Sequence, residues 1–175
     1  MNFGKPYSQN DHRWSRLNLG PSSLKMGGHG CTTTAIASGL THFFQQKTET
    51  PGELARFLVY TDDNHPLGGG LIIWGQNRKQ WAKLGIEWVG RYSYDPQRDY
   101  TKLREFAESP DYFVIIEVLR KDGGRHWLTL IGPSFTWRGK GWACMNPWKG
   151  NYEWKTVGLL APYVRVIGWA LFKRV

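Results

Sequence analysis

The chain has 175 residues, 41% hydrophobic and 15% aromatic, with ten tryptophans and a formal net charge of +9. That length fits one domain spanning 1–175, with room for two lobes around a cleft. No run approaches the ~18 apolar residues of a transmembrane helix, and two cysteines exclude both a disulfide framework and a paired zinc site.

The first thirty residues read as irregular, punctuated by Pro6, Gly20, Pro21, Gly27, Gly28 and Gly30. A helix is expected from Cys31 to about Gln46, built on alanine and apolar residues at roughly helical spacing despite its threonines. A second starts at Thr50-Pro51-Gly52-Glu53 and runs to about Tyr60, with a capping threonine, proline in the first turn and glutamate three residues after the cap. Asn64 to Gly70 is a loop. Its three glycines are no phosphate cradle, because no Lys-Ser/Thr follows and no strand precedes them. Ile72 to Lys83 reads as a third helix, Ile86 to Val89 as a short strand, and Asp99 to Ala107 as a fourth helix. Tyr112 to Leu119 is an apolar, β-branched run and so a buried strand. After the Asp122-Gly123-Gly124 turn, His126 to Gly132 is the returning strand and Gly141 to Pro147 the next, while Val164 to Val175 supplies one or two closing strands. Helices first and an antiparallel sheet second is an α+β pattern.

Charge is unevenly placed. From Leu119 to Val175 there are ten Lys/Arg against Asp122 and Glu153, a net +8, together with six of the tryptophans. Cations interleaved with aromatics suit nucleic acid, or an anionic polymer such as bacterial cell wall. A basic surface over an aromatic core accounts for the same composition.

Cys31 follows His29-Gly30 and opens a helix, where unpaired N–H groups and the helix dipole favour an anion and lower a thiol pKa. It is a candidate nucleophile and needs a base. His126 begins a strand just after a Gly-Gly turn, where its side chain can face a cleft. Twenty residues later Asn146 can accept an imidazole N–H and hold one tautomer. Cys, His and Asn in that order suit acyl transfer. Gln9 lies upstream, where its side-chain N–H can join the Cys31 backbone N–H around an oxyanion. His29 reads as lining the cleft or facing solvent, and His12, His42 and His65 lack a catalytic context. Cys144 shares a strand face with Asn146 and reads as a small buried apolar residue. A Cys31–Cys144 disulfide is not expected.

The segments Tyr7-Ser8-Gln9-Asn10-Asp11…Trp14, Gly30-Cys31-Thr32-Thr33-Thr34-Ala35, His126-Trp127 and Asn146-Pro147-Trp148-Lys149-Gly150 resemble papain-like cysteine peptidases, in the branch related to bacteriocin-processing (double-glycine) peptidases. The likeness spans about residues 6–150. It implies a papain-like fold with a helical lobe packed on an antiparallel sheet. It also implies Cys31 as nucleophile, His126 as base and acid, Asn146 as orienter and Gln9 as oxyanion donor. No metal or organic cofactor is needed. Much of that branch has aspartate where this chain has Asn146, so the imidazolium is less stabilised here. The implied reaction is amide hydrolysis through a thioester. The expected substrate is a peptidoglycan stem peptide, cleaved by a phage or bacterial wall-degrading enzyme of endolysin type. Leader or protein processing, and a non-catalytic domain binding a peptide or polymer, are the alternatives. Nucleic acid and a membrane span are not expected. Met1-Asn2-Phe3-Gly4-Lys5-Pro6 lacks the apolar core of a secretory signal, so a cytoplasmic or phage-associated protein released by lysis, assembly or a non-Sec route is expected.

Overall fold

The computed structural model describes residues 4–46, 48–136, 139–156 and 163–175, without the side chains of 133–136, 139–141, 154–156, 163 and 164. The helices are α1 (Met26–His29), α2 (Cys31–Phe44), α3 (Pro51–Phe57), α4 (Arg78–Lys83) and α5 (Asp99–Glu108). The strands are β1 (Ile86–Ser93), β2 (Tyr112–Arg120), β3 (Arg125–Thr136), β4 (Gly139–Asn146), β5 (Asn151–Thr156) and β6 (Tyr163–Arg174). They form one antiparallel sheet in the order β1-β6-β2-β3-β4-β5. The fold is α+β.

The central helix α2 is buried on nearly every side, from Thr33 through Thr41. It can lie that close to the sheet because of Gly39, where a Cβ would meet the Phe113 ring of β2 at 2.7 Å. Thr129 of β3 donates its hydroxyl to the Ala35 carbonyl at 2.6 Å, locking helix to strand inside the core. α2 ends at Gln45, which takes the left-handed conformation with φ of 54°.

α3 starts as its sequence predicts. The Thr50 side chain accepts from Glu53 N–H while the Glu53 carboxylate takes the Thr50 N–H, a reciprocal cap that stabilises a helix start by about 1 kcal/mol. It stops at Leu58, before the expected Tyr60, because Tyr60 bridges instead to Ile72.

The expected helix over 72–83 is shorter: a 3-10 turn at Trp74–Asn77 leads into α4. Ile72 is taken by the Tyr60 bridge. The fully buried Asn77 amide pairs with both backbone groups of Val59, accepting at 2.8 Å and donating at 3.0 Å. β1 extends to Ser93, four residues past the expected end, because it pairs with the whole outer half of β6. The closing segment forms one long strand, inserted between β1 and β2. α1 and β5 were not expected from the sequence.

Two apolar clusters sandwich the sheet. One joins α2, α3 and α4 to Phe113, Ile115, Trp127, Ala170 and Phe172, with Phe113 and Phe172 stacked at 4.6 Å. The other lies under α5, around Leu103, Leu128, Trp142 and Trp169. Among the described residues no helix is long and apolar enough to cross a membrane.

Candidate active site

A single residue, Gly30, separates α1 from α2. A Cβ there would lie 2.6 Å from the Met26 carbonyl oxygen, the same oxygen that accepts the Gly30 N–H at 2.8 Å. Only glycine lets the chain turn this tightly, and the turn makes Cys31 the first residue of a 14-residue helix. Its first N–H groups have no carbonyl within the helix and face outward.

Cys31 is half-buried as a residue, its sulfur turned inward. Cys31 packs against the apolar cluster that contains Trp127, the residue directly after His126. The backbone of Trp127 and the hydroxyl and backbone of Thr32 each act to lower the thiol pKa. Burial pushes the thiol above its ordinary value and outweighs their effect. The lowered thiol pKa expected from the helix N-terminus is thus not what the site shows: desolvation is the larger effect.

His126 and Asn146 are both buried, and His126 Nε2 lies 2.9 Å from Asn146 Oδ1. The same Oδ1 accepts the backbone N–H of Trp148 at 2.9 Å. A backbone N–H can only donate, so this atom of Asn146 is the oxygen, and His126 Nε2 must carry the proton. Neutral His126 then presents Nδ1 as its basic nitrogen. Burial lowers the His126 pKa, against the raising effect of the Asn146 hydrogen bond, and Arg120 lowers it further. The Trp148 ring stands edge-on to the imidazole at 6.3 Å, under the Arg120 guanidinium at 5.7 Å.

Gln9 is buried at 1% exposure. Its backbone N–H donates to the Pro147 carbonyl at 2.7 Å, and its side-chain Nε2 donates to the Gly27 carbonyl of α1, also at 2.7 Å. It thus stands beside the approach to Cys31 and ties that approach to the Asn146 turn. Asn10 Nδ2 and Ser8 Oγ both donate to the Trp148 carbonyl, at 3.1 and 3.3 Å. Gly150 closes the turn at φ +66°, where a Cβ would meet Ser8 N at 2.8 Å. The N-terminal segment is therefore a clasp over the turn that carries Asn146, a role its sequence signals only through the Tyr-Ser-Gln-Asn motif.

A pocket of about 330 Å³ opens beside His126 and Asn146, lined by Arg120, Lys121, Trp148, Lys149, Asp122 and Glu153. Of the basic, aromatic third, Trp137 and Arg138 lie outside the described residues, as do the side chains of Lys140, Trp154 and Lys155.

The other candidates separate from this centre. His29 is exposed at the end of α1, and His12 and His65 are exposed. Cys144 is fully buried in the cluster under α5 and forms no disulfide with Cys31. Among the described residues no group of three or more His, Cys, Asp or Glu could hold a metal ion. Trp127 and Trp148 lie inside the His126-Trp127 and Asn146–Gly150 segments, but sequence alone assigned neither a role at the site.

No protein-family model matches the chain, and no curated protein matches it either.

Proposed function

We propose that the chain is a cysteine peptidase of papain-like architecture that hydrolyses amide bonds through a thioester on Cys31. The observation that carries this reading is the fixed tautomer of His126: Asn146 Oδ1, already committed to the Trp148 N–H, takes Nε2–H and leaves Nδ1 as the base. With the thiol raised and the imidazole lowered by burial, the resting pair is neutral. The Cys31 proton therefore moves to Nδ1 as sulfur attacks the substrate carbonyl carbon. The tetrahedral oxyanion is stabilised by the Cys31 backbone N–H and by the second N–H of Gln9 Nε2. The C–N bond breaks as His126 returns the proton to the leaving amine. Water then attacks the thioester, giving a proton to Nδ1, and the acid departs as the thiol is restored.

The substrate class is a peptidoglycan stem peptide. The pocket beside His126 supports it, since Arg120, Lys121 and Lys149 outnumber Asp122 and Glu153 around the Trp148 ring. A domain that only binds peptide has no need of a tautomer held by two donors on one oxygen. Digestion of purified peptidoglycan and of an unstructured protein, by wild type and Cys31→Ala, tests the reading. New amines from the wall with wild type alone are expected. Loss of activity on the protein but not on the wall in the variant would contradict it.

A further inference from the structure

A second depression lies beside Trp127, a member of the apolar cluster against which Cys31 packs. It measures about 550 Å³ and brings together Arg91 of β1, Arg125 of β3, Arg165 of β6 and Glu117 of β2. Glu117 is buried, and it is the residue opposite Trp127 in the β2–β3 pair. Its Oε2 accepts from Arg91 at 2.7 Å, and its Oε1 lies 3.4 Å from Arg125. Arg91 also lies over the Trp127 ring at 5.4 Å. At the floor, Gly168 keeps the space open: a Cβ there would press on Tyr92 O at 3.0 Å and Glu117 Oε2 at 3.1 Å.

One carboxylate among three guanidiniums leaves a net charge of +2. Glu117 holds Arg91 in place, while the Arg125 side chain is 66% exposed and Arg165 is also exposed. Planar guanidinium forks match a carboxylate by paired N–H bonds. Through Arg91 and Glu117 the depression adjoins Trp127, and with it the apolar cluster against which Cys31 packs.

We propose that Arg125 and Arg165 form a specificity site for a substrate carboxylate flanking the cleaved amide, with Glu117 and Arg91 as its fixed base. This rests on the peptidase reading and deepens it: the preferred substrate carries an acidic residue next to the scissile bond. Such a site gains from charge pairing in the cleft and weakens as salt screens its exposed arginines.

The test uses two synthetic stem peptides that differ only in whether the D-glutamate α-carboxyl is free or amidated. Wild-type kcat/KM on each is measured, together with calorimetric binding of each to Cys31→Ala. The free acid is expected to be favoured about tenfold in both assays, the scale of a hydrogen bond to a charged group. In Arg125→Gln/Arg165→Gln that preference falls to near unity while turnover of the amidated peptide is retained. Hydrolysis without preference, or a preference untouched in the double variant, overturns the arginine site and leaves the peptidase standing. Binding of the acid form to Cys31→Ala, lost with the arginines, in a protein that hydrolyses neither peptide upholds the site and overturns the peptidase. Neither binding nor hydrolysis overturns both.

Discussion

The Nε2 nitrogen of His126 and the Oδ1 oxygen of Asn146 stand 2.9 Å apart, and that oxygen also takes the Trp148 N–H. Asn146 thus aims the imidazole without lending it charge. Asn146→Ala should lower kcat by roughly 10², within the range for a positioned general base. Asn146→Asp should do something different. A carboxylate at that oxygen favours the imidazolium, raises the His126 pKa and moves the acid limb of the pH–rate profile upward. Profiles of wild type and Asn146→Asp with superimposable acid limbs would count against His126 as the base.

Burial of neutral His126 also makes stability depend on pH. Its folded pKa lies below the ordinary value of 6.5, lowered chiefly by burial. Between 6.5 and that lower value the unfolded chain binds a proton that the folded chain does not. The contribution is fully present above 6.5 and is lost as pH falls toward the folded value. Urea midpoints at about pH 7.5 and about pH 5 should differ more for wild type than for His126→Gln. The Asp11 carboxyl, held to about 2 chiefly by its hydrogen bond from Arg13, remains ionised across that range and does not confound the comparison.

Much of the helical half was legible because its signals are local. The Thr50–Glu53 cap and the Gly30-Cys31 helix start depend on residues a few positions apart. The long β-branched run of β2 was equally plain. Asn77 misled because helical spacing describes where a residue recurs, not which backbone its amide satisfies. β5 went unread although Asn151-Tyr152-Glu153-Trp154-Lys155-Thr156 alternates polar and aromatic residues, because the run is short and directly follows the Asn146–Gly150 motif. The insertion of β6 between β1 and β2 was invisible for a deeper reason: strand partners are chosen by tertiary packing. That insertion brings Arg91, Arg125 and Arg165 around one depression. In the site itself, residue types and order pointed to Cys31, His126 and Asn146. The rise in the thiol pKa was not legible, since desolvation depends on the packing around sulfur.

Gln9 joins two parts of the site, through Pro147 and through Gly27. Gln9→Ala should slow the chemical step by about 10²–10³ if its amide stabilises the oxyanion. It should also lower stability by about 1–3 kcal/mol, because the Gly27 carbonyl loses its buried donor. Single-turnover rates and urea melts separate the two effects. A loss of stability with unchanged single-turnover rate would leave Gln9 with a structural role alone.

At Gly39 of α2 a Cβ would meet the Phe113 ring at 2.7 Å. Gly39→Ala improves helix propensity by up to about 1 kcal/mol, yet it forces the ring aside in a packed core at about 1–3 kcal/mol. The overpacking should win, giving a net destabilisation in chemical denaturation. A more stable variant would mean that Phe113 and its stacked partner Phe172 can shift freely.

The central claim is that the Cys31 sulfur becomes acylated during turnover, with His126 as the proton carrier. Acid quenching of wild type mixed with an activated ester of a stem peptide, followed by peptide mapping, measures this directly. The account predicts an acyl adduct on the peptide containing Cys31, absent in Cys31→Ala and formed far more slowly in His126→Ala. An adduct on Cys144, or equal acylation rates in wild type and His126→Ala, would contradict it.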